Sequence, residues 1–298
     1  MQQSDWHGVF PAITTPFNED GSIDHTFLAA HASWMIDAGC RGVVALGSLG
    51  EGGCLEPDER NAVLKTLVAA VGNRVPVIAG IAALSTAQAV TFANDARDCG
   101  CRGLMVLPPY VYRGRWEETR AHFSAVISAT PLSCTLYNNP IAYGTDLLPE
   151  HIADLAALHT NVHAVKESSA DVRRFPAIRY ILGPRLALFV GVDDLIVEGV
   201  AAGAIGWVAG LVNALPAESV SLFDLAARGH SDELDRLYKW FLPLLRLDVV
   251  SDFVHLIKLA QQEAGMGTER VRPPRLTLTG EPRKVALQTI RVAMKSRP

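Results

Sequence analysis

Eight short, β-rich runs recur along the chain, and they constrain its fold more than any other feature of the sequence. Most of them are continuously apolar, which is typical of parallel strands covered on both faces. Segments of helical periodicity separate them, for example at 27–39, 59–72 and 87–100. The runs are VFPAITT (9–15), GVVALGS (42–48), VPVIAGI (75–81), GLMVLPP (103–109), LSCTLYN (132–138), VHAVKES (162–168), LALFVGV (186–192) and AIGWVAG (204–210).

This alternation predicts the overall architecture. Strand and helix repeated eight times close into a (β/α)8 barrel. A doubly wound open sheet is the alternative, but no GxGxxG follows the first strand. We therefore expect an α/β protein with a (β/α)8 TIM barrel over residues 1–225. The β pattern stops near residue 216, so residues 226–298 predict a helical C-terminal extension that packs on the barrel as part of one structural unit.

Composition and charge argue against several classes of partner. The formal net charge is −4, and acids and bases are interspersed, so the chain has no basic stripe for nucleic acid. The longest uncharged run, 199–217, is interrupted by glycines and is shorter than the ~20 apolar residues of a membrane span. The N-terminal residues lack a signal-peptide pattern, and the five cysteines lack CxxC spacing. We expect a cytoplasmic protein that binds neither nucleic acid nor membrane.

Two predicted strand ends carry groups that a barrel mouth can use, since chemistry in this fold lies at the C-terminal ends of strands. Lys166 ends the sixth run. A lysine there either reaches solvent or an ionic partner, or attacks a carbonyl as a desolvated amine and forms a Schiff base. Tyr137 ends the fifth run, where its phenol can relay the protons that a Schiff base requires. No cofactor motif is present, so we expect no cofactor.

The glycine-rich loop GSLGEGG (47–53) matches neither a Walker A motif nor a dinucleotide fingerprint. It is either a tight turn between strand and helix or a cradle whose backbone N–H groups hold a carboxylate. In the second case, the backbone N–H groups of Ser48 and Leu49 would bind a substrate carboxylate. We also predict that the Ser48 hydroxyl hydrogen-bonds to Tyr137.

GSLGE, YNNP and VKESS, in this order, resemble the dihydrodipicolinate synthase / N-acetylneuraminate lyase family of class I aldolases over most of the chain. The resemblance implies that Lys166 forms a Schiff base with a 2-oxo acid and that Tyr137 and Ser48 relay protons. It also implies a second tyrosine donated across a dimer interface, either Tyr110 or Tyr112. We therefore expect a homodimer or homotetramer.

Two departures from the family pattern bear on the substrate. Leu49 replaces the second threonine of the loop, and Ala142 stands where the synthase of lysine biosynthesis has the arginine that grips its second substrate. A lost partner for that carboxylate typically costs more than about 1 kcal/mol. Asn139, Ala142 and Gly191 are therefore candidate specificity residues.

The segments KESSADVRRF, LFVGVDD and GWVAG resemble enzymes that convert a cyclic imine, Δ1-pyrroline-4-hydroxy-2-carboxylate, into 2-oxoglutarate semialdehyde and ammonia. We expect this deaminase activity of hydroxyproline degradation. The alternatives within the family are 2-keto-3-deoxy sugar acid dehydratase or aldolase, and dihydrodipicolinate synthase.

Functions of another class fit the sequence less well. A non-catalytic carboxylate-binding barrel leaves the pairing of Lys166 with Tyr137 unexplained. A metal-dependent lyase would lack HxH or HxxE patterns at the strand ends, so we expect no metal. Its ligands would come from four residues: His7, Glu51, Asp193 and Asp194. We expect the two aspartates to cap the helix after strand seven instead.

Overall fold

The computed structural model describes residues 1–298 and contains eight strands and twelve α-helices. The strands are β1 (Gly8–Pro11), β2 (Val43–Ala45), β3 (Val77–Ile81), β4 (Gly103–Val106), β5 (Ser133–Asn138), β6 (Val162–Glu167), β7 (Ala187–Val190) and β8 (Gly206–Ala209). The helices are α1 (His25–Asp37), α2 (Pro57–Val71), α3 (Thr86–Asp98), α4 (Trp116–Ser128), α5 (Pro140–Tyr143), α6 (Pro149–Leu158), α7 (Arg174–Leu182), α8 (Ile196–Ala201), α9 (Pro216–Arg228), α10 (Asp232–Leu245), α11 (Phe253–Glu263) and α12 (Gly280–Lys295).

The strands form one parallel sheet that closes on itself. The hydrogen-bonded order is β1-β8-β7-β6-β5-β4-β3-β2. Ala12 bridges Val44, and the Ile13 N–H donates to the Val44 carbonyl oxygen at 3.0 Å, so β1 also meets β2. The predicted (β/α)8 barrel is confirmed. Each strand is shorter than its predicted run. In all but β3 and β5, the last residues of the run leave the ladder and form the loops of the barrel mouth.

Alternate residues of each strand face two different cores. A cluster of twelve buried residues draws on all eight strands and therefore fills the barrel interior; it includes Phe10, Met105, Phe189 and Val208. The intervening residues point outward and join a second, larger cluster of 69 buried residues beneath the helices. This alternation fixes which strand-end side chains point into the mouth.

The last three helices, α10–α12, follow the barrel and contribute to the same outer core. Apolar residues of α10 recur at helical spacing on its buried face, and Ser231 caps its start by accepting from the Leu234 N–H at 3.1 Å. Phe241, Ile257 and Ile290 belong to the 69-residue cluster. The helix α9 crosses the predicted boundary at residue 225 and ends at Arg228. None of the helices is both long and apolar enough to traverse a bilayer.

Candidate active site

Lys166 and Tyr137 lie side by side at the barrel mouth. The two residues are register partners on the adjacent strands β6 and β5. Both are inward-facing and buried, with 6% and 5% of their surfaces exposed. The Lys166 Nζ atom lies 4.2 Å from the centroid of the Tyr137 ring. A desolvated primary amine in contact with a phenol is the arrangement that carbonyl attack and proton relay require.

Gly191 leaves the space that the Lys166 side chain occupies. Gly191 follows β7, where Phe189 points inward, so the missing side chain of Gly191 also faces the interior. A Cβ built there would lie 2.6 Å from Lys166 Cε and would overlap Ser168 Oγ. Real Cβ atoms do not make such contacts. Gly191, which we predicted to be a specificity residue, therefore provides the space that the Lys166 side chain needs.

The loop at 47–53 presents free backbone donors to the mouth. No backbone carbonyl accepts a hydrogen bond from the N–H of Ser48 or Leu49. Leu46 and Glu51 have φ angles of 62° and 53°, a left-handed conformation that non-glycine residues rarely adopt. Thr15 Oγ1 donates to the Gly50 carbonyl oxygen at 2.6 Å and ties the loop to the end of β1. Consecutive free N–H groups held in this way suit a carboxylate.

Glu51 anchors the same loop to the C-terminal extension. Lys258 of α11 donates from Nζ to Glu51 Oε1 at 2.5 Å, and the two side chains are 2% and 0% exposed. The same ammonium donates to the carbonyl oxygens of Thr15 (2.8 Å) and Arg270 (2.7 Å). The Arg272 N–H donates to Glu51 Oε2 at 3.0 Å. Burial lowers the pKa of Lys258, and the Glu51 carboxylate opposes that shift.

The Ser48 hydroxyl is paired with Tyr143, and the expected hydrogen bond to Tyr137 is wrong. Ser48 Oγ and Tyr143 OH form a short hydrogen bond, while Tyr137 OH accepts from Asn139 Nδ2 at 3.1 Å. Tyr143 ends the short helix α5, and its ring centroid lies 5.7 Å from that of Tyr137. Asn139 caps α5 by accepting from the Ala142 N–H at 3.0 Å. This cap aims Tyr143 into the mouth and leaves Ala142 exposed.

Tyr110 completes a hydroxyl cluster within its own chain. Its ring centroid lies 5.5 Å from that of Tyr143, and burial raises the pKa of both phenols. Tyr112, the alternative for a residue that crosses an interface, is 54% exposed, and the Glu118 carboxylate beside it raises the pKa of its phenol. Of the two tyrosines, the one that contacts this site is Tyr110.

The two aspartates after β7 do not cap α8 as we expected, because Asp193 reaches across to the end of β8. Its carboxylate accepts from Trp207 Nε1 at 2.9 Å, from the Gly210 N–H at 3.1 Å and from the Leu211 N–H at 2.8 Å. Burial raises the pKa of Asp193 to about 6, although these donors and Lys166 oppose the shift. Asp194 faces Arg246 of the extension at 3.7 Å.

The four residues considered as metal ligands are engaged elsewhere or lie apart. Glu51 is bonded to Lys258, and His7 is exposed with its ring against the Ser4 carbonyl oxygen. No three His, Cys, Asp or Glu side chains converge on a common point.

The chain is similar to known proteins along most of its length. Residues 5–293 match the model of the dihydrodipicolinate synthetase family. A protein from Methanococcus maripaludis described as 4-hydroxy-tetrahydrodipicolinate synthase is 30% identical over 281 residues, which cover 94% of this chain and 96% of the relative.

Two solved structures share the fold over nearly their whole length. Dihydrodipicolinate synthase from Bacillus anthracis superposes with a TM-score of 0.92 at 27% identity and covers 100% of both chains. A prophage protein of the dihydrodipicolinic acid synthase family from E. coli K12, in complex with pyruvate, has a TM-score of 0.90 at 26% identity. That alignment covers 97% of this chain and 98% of the prophage protein.

Proposed function

The chain belongs to the dihydrodipicolinate synthetase family of lysine Schiff-base enzymes, and we propose that it deaminates Δ1-pyrroline-4-hydroxy-2-carboxylate to 2-oxoglutarate semialdehyde. One observation carries this choice of substrate within the family. The residue two positions beyond the YNNP proline is Ala142, which is exposed and uncharged, so this position itself supplies no cation for a second substrate's carboxylate.

Lys166 begins the reaction by attacking C2 of the cyclic imine. The ring C2–N bond breaks, the ring nitrogen takes a proton, and an open-chain iminium links C2 to Nζ. The iminium acidifies C3, and loss of a C3 proton gives an enamine that expels the C4 hydroxyl as water. Loss of a C5 proton then gives an enamine at C5, which tautomerises to an imine. Hydrolysis at C5 releases ammonia, and hydrolysis at C2 frees the lysine.

The surrounding groups hold the substrate and move protons. The free N–H groups of Ser48 and Leu49 would bind the C2 carboxylate and keep C2 over the amine of Lys166. The Tyr137 ring contacts the amine, and its hydroxyl would move protons in the carbinolamine steps. Ser48 and Tyr143, joined by their hydrogen bond, extend this set of hydroxyl groups. The complex of the E. coli prophage relative with pyruvate supports a 2-oxo acid as the substrate class.

Dihydrodipicolinate synthase activity is the second candidate, and two observations favour it. The Methanococcus relative is described by that reaction. In addition, the Arg113 guanidinium lies against the backbone of Gly144, two residues beyond Ala142, where a cation could meet a second carboxylate. The comparisons identify the family, and the descriptions of the relatives favour the synthase over the deaminase.

Ammonia release from Δ1-pyrroline-4-hydroxy-2-carboxylate tests the proposal. Wild type and a Lys239→Ala control, altered at an exposed lysine of α10, should release ammonia, and Lys166→Ala should not. Borohydride with pyruvate should add mass to the Lys166 peptide only where that lysine is present. Trapping without ammonia release would remove the deaminase assignment. Consumption of pyruvate with aspartate semialdehyde would then establish the synthase.

The homodimer or homotetramer remains a prediction. Tyr112 has the exposure that a residue donated to a partner needs, and Val111 beside it is 93% exposed. Tyr110 instead lies within its own site. Sedimentation of the purified protein would test the oligomeric state.

A further inference from the structure

Asp248 belongs to the C-terminal extension, yet its carboxyl group lies in the barrel mouth. Val208 of β8 points into the barrel interior, so the missing side chain of Gly210 faces the interior as well. A Cβ built on Gly210 would overlap the Asp248 carboxyl, whose Oδ2 lies 2.7 Å from that point. Asp248 thus occupies the inward side-chain position of Gly210, and glycine is the residue that leaves room for it.

Two buried polar atoms near Lys166 have no partner within the chain. One is Oδ1 of Asp248, and the other is Oγ of Ser168, a residue only 2% exposed. Ser168 Oγ sits at the inward position of Gly191, as Asp248 sits at that of Gly210. Buried polar atoms without a partner are uncommon and call for a water, an ion or a ligand. Ser168 Oγ therefore lies against the end of β7 and the Asp248 carboxyl against the end of β8, and these two strands are neighbours.

Unlike Asp248, the neighbouring Asp193 has hydrogen-bond donors for both of its carboxylate oxygens, so it has no oxygen left for a ligand. Asp193 accepts hydrogen bonds from two backbone N–H groups and an indole. The turn that carries Asp248 is held by other contacts: Leu247 is buried, and Arg246 faces Asp194 at 3.7 Å. The pKa of Asp248 is raised well above its ordinary value by burial and by Asp193, while Lys166 opposes the shift. Asp248 is therefore an acid at the barrel mouth with one carboxyl oxygen unused.

We propose that Asp248 and Ser168 form a subsite for a hydroxyl group on the distal carbons of the 2-oxo acid bound to Lys166. The inference rests on the proposed 2-oxo acid chemistry and deepens it by naming the group at the far end of the substrate. A hydroxyl can donate to the free oxygen of Asp248 and accept from Ser168, so one group satisfies both orphaned atoms. A distal carboxylate would meet the acid instead.

A matched pair of ligands isolates the subsite. Borohydride trapping is measured against 4-hydroxy-2-oxopentanoate and 2-oxopentanoate, which differ by one hydroxyl group. A net hydrogen bond to the Asp248 carboxyl group predicts that wild type is half-saturated at a several-fold lower concentration of the hydroxylated acid, up to about tenfold. Asp248→Ala should bring this ratio to about one. Asp252→Ala, an exposed aspartate on the same segment, should keep the wild-type ratio.

Several outcomes would overturn the subsite. Equal half-saturation of wild type by both acids would do so, as would an Asp248→Ala variant that keeps the preference. If Asp248→Ala does not fold, Ser168→Ala takes its place, and an unchanged ratio in that variant has the same consequence. Ammonia release is scored separately: its absence together with an intact hydroxyl preference removes the deaminase and leaves the subsite standing.

Discussion

Replacing Lys258 with methionine should destabilise the protein strongly, because it leaves a buried carboxylate without its main partner. Methionine keeps most of the length of the side chain but removes the donors to Glu51, Thr15 and Arg270. Glu51, with 0% of its side chain exposed, would keep the Arg272 N–H at 3.0 Å and Arg275 at 3.6 Å.

The expected loss follows from burial and from the partners that remain. Removing one member of a buried ion pair typically costs about 3–5 kcal/mol, and the surviving Arg272 and Arg275 contacts favour the lower end, about 3 kcal/mol. Adding Glu51→Gln removes the stranded charge and keeps a side chain of the same shape. The double variant should therefore be more stable than the sum of the single losses predicts, by at least about 1 kcal/mol.

Urea unfolding at pH 7, followed by circular dichroism, measures these values for the two single variants and the double variant. Lys239→Met, at an exposed lysine of α10, is the control and should change stability by less than about 0.5 kcal/mol. Additive losses, or a Lys258→Met loss below about 1 kcal/mol, would refute the reasoning. Because Glu51 lies in the loop at 47–53, which is proposed to bind the carboxylate, Lys258→Met should raise KM for the 2-oxo acid more than it lowers kcat.

Three further predictions concern single groups. Tyr143→Phe should slow borohydride trapping with pyruvate by about 10²-fold or more, since it removes the partner of Ser48, whereas Tyr112→Phe should not; equal rates would contradict the relay. Gly191→Ala should abolish trapping while circular dichroism stays native, because the methyl group meets Lys166 Cε; retained trapping would count against this crowding. His31 is buried, and its pKa is lowered from 6.5 to about 4 by burial. The unfolded chain therefore binds this proton first as pH falls, and stability should drop by about 2 kcal/mol between pH 7 and pH 5. His31→Gln should lose less over the same window, and an equal loss would oppose the assignment.

The fold could be predicted from the sequence because each strand carries its own signal. A continuous apolar run indicates a strand that is buried on both faces. Each strand of a barrel is buried in this way, by the interior on one side and by the helices on the other. The pairing of Tyr137 with Lys166 followed from the same logic, since consecutive strands β5 and β6 are neighbours in the barrel. Chain order alone therefore places a phenol beside an amine at the mouth.

The rest of the site depends on contacts that local patterns do not encode. Tyr143 reads as a loop residue until the Asn139 cap turns it toward Ser48. Asp248 resembles a surface acid at a helix end, because nothing near it in sequence indicates contact with Gly210. Lys258 did leave a signal, since it stands at helical spacing with Val254 and Ile257 on the buried face of α11.

The extension is part of the site, because two of its charged residues reach the mouth in different ways. Lys258 holds the loop at 47–53 in place through its ion pair with Glu51. Asp248 fills the inward side-chain position of Gly210. In the proposed reaction, the chemistry at C2 depends on residues of the strands, above all Lys166 of β6 and Tyr137 of β5. In the proposed site, the groups that would face the distal carbons instead come from α5, from the ends of β6 to β8 and from the extension. A barrel built this way can change its distal substrate through substitutions in α5 and the extension, while the amine and the phenol stay where β6 and β5 hold them.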